Sequence, residues 1–303
     1  VTARLVATAA ATVDVFDALS VFDPAAAHVP AFKSGRWDGI VRFVRGGEFM
    51  SGLTWRVAQV LAAGGHGRPK IEWPPASARP PLAPPIAGIE WRPYQLEAIE
   101  KAMRARRMAL QCPTRAGKTE IGIEFMRRVG GKALWVTHLK ELLRQTPERI
   151  RSRLGVEPGI VAGPIRTDGP IVVAMAQTLH RVLQSDKKFF QQFDVLVMDE
   201  GHHAAADTWQ EIAKACGRAS YRLALSGTMA TGNVVNDMKI EGAFGPTYEV
   251  TTTMELAELG FVARPRVVMM RPPPSTYPSY EEVREAGCPG WRADPRQLSR
   301  LGG

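Results

Sequence analysis

The chain has 303 residues, 45% of them hydrophobic and 23% charged, which is the balance of a globular protein and not of a disordered or fibrous one. Its net charge of +9 favours a polyanionic partner such as nucleic acid, and residues 91–303 hold 30 of the 39 Lys and Arg against 23 of the 30 Asp and Glu. No stretch has the length of a transmembrane helix, Asp14 and Asp17 argue against a signal peptide, and Cys112, Cys216 and Cys288 form neither a metal spacing nor a disulfide framework. A cytosolic protein with no membrane partner is expected, holding one large domain or two of ordinary size.

Residues 1–66 read as a small mixed α+β segment. Ala3, Leu5 and Ala7 alternate weakly, and Val13 to Leu19 has mixed apolar spacing. In Phe32-Lys33-Ser34-Gly35-Arg36-Trp37-Asp38-Gly39, two glycines bracket a Trp-Asp pair before an alternating, strand-like run to Phe43. Lys33, Arg36, Arg42 and Arg45 are interleaved with Phe32, Trp37 and Phe43. That pattern suits a surface that grips a phosphate backbone and stacks on bases. It suits equally a hairpin with an aromatic core and solvated cations. An amphipathic helix from Leu53 to about Ala63 ends at Gly64-Gly65. Pro69, Pro74, Pro75, Pro80, Pro81, Pro84 and Pro85 then exclude helix and central strand, so residues 67–88 are expected to be a stiff linker and a domain boundary.

Arg92-Pro93-Tyr94-Gln95 opens a helix to about Met103, and Gln95 can offer a donor and an acceptor to an adenine edge. The apolar run Met108–Gln111 leads into Cys112-Pro113-Thr114-Arg115-Ala116-Gly117-Lys118-Thr119 and then a helix. Strand, tight loop ending in Gly-Lys-Thr, then helix is the phosphate-binding arrangement of P-loop nucleotidases, although Cys112 stands where the general pattern has Gly. The loop Pro113–Thr119 would wrap the phosphates with its N–H groups from Thr114 onward, Lys118 would reach the β and γ groups, and the Thr119 hydroxyl would ligate Mg²⁺. Strands are expected at Ala133–Thr137 and Ile171–Ala176, each running into a helix start, with Thr137 and Lys140 at the first and Gln177 and Thr178 at the second. Those groups are placed to meet nucleic-acid phosphates, or simply to cap their helices.

Asp194–Met198 is an apolar strand ending in Asp199-Glu200-Gly201-His202-His203. Acidic residues at the carboxyl end of a buried strand are where such enzymes hold Mg²⁺ (Asp199) and orient water (Glu200). Tyr221–Leu225 is a further strand ending in Ser226-Gly227-Thr228, whose hydroxyls are placed to relay the state of the γ-phosphate or to make an ordinary turn. Alternating strands and helices from Met108 to Leu225 imply a mostly parallel sheet covered on both faces.

Pro-Thr-Arg-Ala-Gly-Lys-Thr, Asp-Glu-Gly-His and Ser-Gly-Thr, in order after Arg-x-Tyr-Gln, resemble motifs Q, I, II and III of superfamily 2 helicases. Thr137–Gln145 resembles motif Ia, Ala176–Leu179 a later strand-binding motif, and Gly245 to Pro265 the exit from a first RecA-like domain. Phe32-Lys33-x-Gly35-x-Trp37-Asp38-Gly39, followed by Gly52-Leu53, is similar to the N-terminal domain of UvsW-like bacteriophage DNA helicases. The resemblance implies a RecA-like ATP-binding domain over residues 89–270 and a DNA-contacting accessory domain over 1–66. Its implied cofactors are ATP and Mg²⁺, and its implied location is bacterial or host cytoplasm. Arg92 and Gln95 would lie at the nucleotide, and His202, Ser226 and Thr228 would couple hydrolysis to DNA. Lys33, Arg36, Trp37, Thr137, Lys140, Gln177 and Thr178 would meet branched, duplex or single-stranded DNA. No Gln-x-x-Gly-Arg-x-x-Arg-like segment follows Arg264, and residues 271–303 are too few for a second RecA-like domain. A fragment, or a partner domain supplied in cis or in trans, is therefore expected, with weak activity for the chain alone. A restriction-type translocase, an RNA helicase motor, and a non-catalytic ATP- and DNA-binding module are the alternatives.

Overall fold

The computed structural model describes residues 2–72 and 79–264; the expected helix-like segment at 279–284 and the expected start of a second motor domain at 271–303 lie outside them. The N-terminal segment begins with β1 (Thr2–Arg4), α1 (Ala9–Ala18), β2 (Ser20–Phe22), α2 (Pro30–Lys33) and β3 (Ile40–Arg42). It continues with β4 (Val44–Arg45), β5 (Glu48–Met50) and α3 (Thr54–Ala63). Strands β2 and β3 pair antiparallel, and β1, β5 and β4 make a small antiparallel sheet. Val15, Leu19, Phe49, Leu53, Val57 and Leu61 form its core, together with Met238 from far along the chain.

The second half is built on α4 (Pro93–Ala105), β6 (Arg107–Gln111), α5 (Lys118–Val129), β7 (Ala133–Thr137), α6 (Lys140–Leu154), β8 (Gly159–Ala162), β9 (Ile165–Arg166) and β10 (Ile171–Met175). There follow α7 (Ala176–Ser185), β11 (Val195–Asp199), α8 (Asp207–Ala215), β12 (Tyr221–Ser226), α9 (Val234–Phe244), β13 (Thr247–Glu249) and α10 (Thr253–Glu258). Its sheet has the order β13-β6-β12-β11-β7-β10-β8-β9, parallel throughout except for the antiparallel β8–β9 edge pair. The fold is thus α/β, with a RecA-like, mostly parallel sheet.

The strands are apolar on both sides because both faces are covered. Successive side chains point to opposite faces. Leu134, Val136, Leu196 and Met198 pack with α7, α8 and α9. Trp135, Val173, Val195, Val197 and Leu225 pack with α4, α5 and α6. Local chemistry fixes the helix starts. Pro93 sits in the first turn of α4, and Asn233 accepts hydrogen bonds from the N–H groups of Val235 and Asn236 at α9. Thr252 and Glu255 form a capping box at α10.

Two junctions tie the N-terminal segment and the Pro-rich stretch to the sheet. The turn Ser51–Leu53 rests on α9, where Arg56 grips Glu241 through Nε (2.9 Å) and Nη2 (2.5 Å). Residues 79–88 run along the end of α5: Leu82 donates its N–H to the Arg127 carbonyl, and Arg127 donates to the Ala83 carbonyl. Arg127 is itself held by Glu124 at 2.7 Å, both side chains being buried.

Candidate nucleotide and nucleic-acid site

The carboxyl ends of β6, β12 and β11 stand side by side in the sheet, and all three groups of expected catalytic residues emerge there. From β6 the chain turns tightly, Ala116 donating to the Pro113 carbonyl at 3.1 Å, and enters α5 through Gly117 at φ 88°. A side chain at Gly117 would be strained by that φ and would collide with the Gln95 amide. Arg115 also takes a left-handed backbone, φ 68°, and its carbonyl is held by Arg92 Nη1 at 3.1 Å. The first N–H groups of α5, around Lys118 and Thr119, have no partner within the helix and are therefore available to an anion. Cys112, in place of the usual Gly, is buried under the loop, and burial pushes its thiol up to about 12.

Lys118 Nζ lies 3.3 Å from Glu200 Oε1. Asp199, at the end of β11, is 4% exposed and accepts the Glu200 N–H at 3.0 Å. Burial raises its carboxyl to about 6, opposed by Lys118 and reinforced by Glu200. Glu200 turns the chain through a left-handed conformation, φ 54°, which directs it away from the strand. The buried Asp199 carboxylate and the Thr119 hydroxyl in the first turn of α5 are oxygen donors of the kind that Mg²⁺ prefers. Thr119 and Asp199 fit such an ion. Among the described residues no group of three or more His, Cys, Asp or Glu is arranged to hold a metal.

Gln95 is put to a different use from the one its motif suggests. It is 5% exposed; its Oε1 accepts the Arg92 N–H at 3.1 Å and its Nε2 donates to the Ala116 carbonyl at 2.9 Å. It therefore braces the phosphate loop. Arg92 lies 3.5 Å above the Phe261 ring and donates to Tyr94 Oη at 2.7 Å, so its guanidinium is held between aromatic groups.

Behind the acidic pair, His202 Nδ1 is 2.8 Å from Ser226 Oγ and 3.5 Å from Glu200 Oε2, and Ser226 donates to the Thr228 carbonyl. The three expected coupling residues are thus in one chain of contacts, through the Thr228 backbone and not its exposed hydroxyl. Gln111 and a ring cluster were not visible in the sequence. Gln111 accepts the Met229 N–H at 3.0 Å and donates to Glu249 at 3.2 Å, tying the end of β6 to two other segments. His138, His203 and Trp209 stack behind His202, with 4.2 Å between the His138 and His203 rings. Burial lowers all three histidines below the ordinary imidazole value. A Gln closing an apolar strand and a His after another were the available signals.

The expected nucleic-acid residues separate by exposure. Lys140 and Gln177 are exposed at the starts of α6 and α7. Thr137 is fully buried and its hydroxyl accepts the Leu139 N–H; Thr178 is 7% exposed and accepts the Gly163 N–H at 2.9 Å. Both hydroxyls are used internally, because each terminates a buried strand or faces its neighbour. Lys33 and Arg36 are exposed, Arg36 leaning on Ser34 at 2.9 Å. Trp37 is half-buried against the Phe32 edge with its indole N–H on the Ile40 carbonyl, and Arg42 is paired with Asp38.

A family model described as "Type III restriction enzyme, res subunit" matches residues 88–231. Over 267 residues the chain is 25% identical to the ATP-dependent DNA helicase uvsW of Enterobacteria phage T4, covering 78% of this chain and 52% of that protein. It is 29% identical over 140 residues to the DNA 3'-5' translocase XPB2 of Sulfurisphaera tokodaii, covering 46% of this chain and 31% of that one. The chain thus spans about half or less of the length of these relatives. The crystal structure of the UvsW helicase from Bacteriophage T4 matches with a TM-score of 0.67 at 21% identity, covering 82% of this chain and 96% of that one. Residues 88–231 thus match the model of the Type III restriction enzyme res subunit, in a chain that is similar over most of its length to a phage DNA helicase.

Proposed function

We propose that the chain is the ATP-driven motor part of a DNA helicase or translocase, hydrolysing ATP to move on or remodel branched or duplex DNA. The observation that carries this is the meeting of Lys118 with Glu200 at 3.3 Å beside the buried Asp199, above the start of α5. The names of the phage and Sulfurisphaera relatives, a helicase and a translocase, support it.

In this reading Lys118 and the loop N–H groups from Thr114 to Thr119 hold the phosphates, and Gln95 and Arg92 keep the loop in shape. Thr119 and Asp199 hold Mg²⁺, which when bound offsets phosphate charge. Glu200 orients the attacking water and takes its proton, and His202, Ser226 and the Thr228 backbone carry the change toward the DNA-binding side. Lys140, Gln177, Lys33, Arg36 and Trp37 contact DNA. Residues 1–66 act as the accessory DNA-binding unit, 67–88 as the connection, and 89–270 as the first motor domain. A second RecA-like domain, in cis or in trans, supplies an arginine to the γ-phosphate; lacking it costs about 10³–10⁵ in rate.

The test is nucleotide binding and ATPase activity with and without forked DNA, for the parent and for Lys118→Ala and Glu200→Gln. Lys118→Ala should abolish Mg²⁺-dependent nucleotide binding at the loop before α5, whereas Glu200→Gln should keep that binding and lose turnover. A parent chain with no detectable nucleotide binding overturns the motor reading. Arg36→Ala with Trp37→Ala should weaken DNA binding at unchanged nucleotide affinity; unaltered DNA binding removes the N-terminal assignment. The description of the matched family favours one second reading, a restriction-type translocase motor. It predicts ATPase stimulation by linear duplex equal to that by forked DNA.

A further inference from the structure

At the opposite pole of the sheet from the phosphate loop, a cavity of about 980 Å³ opens between the amino ends of β6, β11 and β12 and the N-terminal segment. The two sites are separated by roughly 16 Å, the length of a five-residue strand. Six cations line the cavity: Arg4, Lys70, Arg79, Arg106, Arg107 and Arg218. The two carboxylates that line it among the described residues are already engaged. Glu72 pairs with Lys70 at 2.6 Å, and Asp194 is shared by Arg79 at 2.9 Å, Arg218 at 3.2 Å and the Lys132 N–H at 3.0 Å.

Arg107 sets this cavity apart from an ordinary basic surface. It is 3% exposed, and its Nε and Nη1 are buried without any hydrogen-bond partner. Its register neighbour across the sheet is another buried arginine, Arg222, whose own donors are used on the Cys216 and Ala219 carbonyls. Among the described residues no carboxylate pairs with either guanidinium. Burial and the neighbouring Arg222 charge pull Arg107 down to about 8, far below an ordinary arginine. Buried charges persist in proteins when they are paired, and the missing partner here is an anion.

We propose that this cavity is a second ligand site, for a polyphosphate chain seated on Arg107, distinct from the phosphate loop and independent of the motor reading. With Arg106 left out of the count, the five remaining cations exceed the two carboxylates by three among the described residues, which suits the charge of a di- or triphosphate. The guanidinium fork suits phosphate oxygens. The volume is in the range of small-molecule sites, and Leu5, Phe49, Val57 and Leu61 offer an apolar wall for the remainder of a nucleotide. Because the wall belongs to the N-terminal segment and the floor to the sheet, an occupant would draw the two together.

The experiment measures thermal stabilisation by inorganic tripolyphosphate, and by ATP without Mg²⁺, in the parent, Lys118→Ala, Arg107→Met and Arg4→Ala. Tripolyphosphate should stabilise the parent and Lys118→Ala saturably and alike. Apparent affinity should fall at least about tenfold in Arg107→Met, the loss of a charge-assisted bond, and about threefold in the rim variant Arg4→Ala. Arg107→Met removes an unpaired buried charge and should fold; if it does not, Arg4→Ala still reports on the site. Tighter binding of ATP than of tripolyphosphate in Lys118→Ala identifies a nucleotide as the source, and equal binding identifies inorganic polyphosphate; both sustain the proposal. A stabilisation unchanged in Arg107→Met and Arg4→Ala, lost in Lys118→Ala alone, or reproduced by sulfate at equal ionic strength overturns it.

Discussion

Gly52 is where the N-terminal segment and the sheet half come closest, and Gly52→Ala tests whether they are one mechanical body. A Cβ at this position would lie inside contact distance of the Glu241 carbonyl oxygen and 2.5 Å from that of Gly242. These are backbone atoms of α9 and cannot rotate aside. To reach ordinary contact the turn Ser51–Leu53 would have to back away by roughly 1.5 Å, against packing with optimal separations of about 3.5–4 Å. Overpacking of this kind costs about 1–3 kcal/mol, while Gly→Ala recovers about 0.4–1 kcal/mol from the unfolded chain. The net loss is about 1–2 kcal/mol, or roughly 2–8 °C in Tm for a chain of this size. Retreat of the turn also withdraws Arg56 from Glu241, so Arg56→Ala should cost its own increment in the parent and almost nothing in Gly52→Ala. Thermal and urea unfolding of the four proteins of this cycle supply the numbers. A Gly52→Ala protein as stable as the parent, with Arg56→Ala still costing its full increment, would refute the close-approach argument.

Asp199→Asn carries a pH-dependent prediction. The native carboxyl is raised from 3.8 to about 6, so its ionisation costs nothing below pH 4 and its full amount above pH 6. That interval corresponds to about 3 kcal/mol, so in metal-free buffer Asp199→Asn should be more stable than the parent at pH 8, and the advantage should fade as the pH approaches 4. Urea unfolding at several pH values checks this; a variant less stable than the parent at pH 8 contradicts it. Gln95→Ala removes the brace between α4 and the phosphate loop, two hydrogen bonds at about 0.5–1.5 kcal/mol each. Nucleotide affinity should fall roughly tenfold with little preference lost for adenine over guanine, because the amide is turned toward the Ala116 carbonyl. Selective loss of adenine preference would restore a base-reading role.

Much of the sheet half was legible in the sequence because it is written in unbroken apolar strands. Ala133–Thr137 and Val195–Asp199 announce themselves by unbroken burial, and Gly117-Lys118-Thr119 by its place between strand and helix. The N-terminal strands are two or three residues long, too short for alternation to register, and the β8–β9 edge pair has the same difficulty. The site was legible as residue types at strand ends but not as partners. Nothing in Arg-x-Tyr-Gln says that Gln95 will turn inward, and nothing in Thr137 or Thr178 says that a nearby N–H will claim the hydroxyl. The Pro-rich stretch was read as a spacer from its stiffness alone. Its described part, residues 79–88, finds hydrogen bonds along α5 through Leu82 and Ala83, since an extended chain still has backbone groups to satisfy.

The contact between Lys118 and Glu200 has one further consequence. The ammonium and the carboxylate face each other at 3.3 Å, and both side chains are about a quarter exposed. On the motor reading, an arriving phosphate takes the ammonium for itself and leaves the carboxylate unclaimed, free to turn toward a water. The proton acceptor would then be armed by the substrate and disarmed by its departure, an interlock made from two side chains and no moving domain.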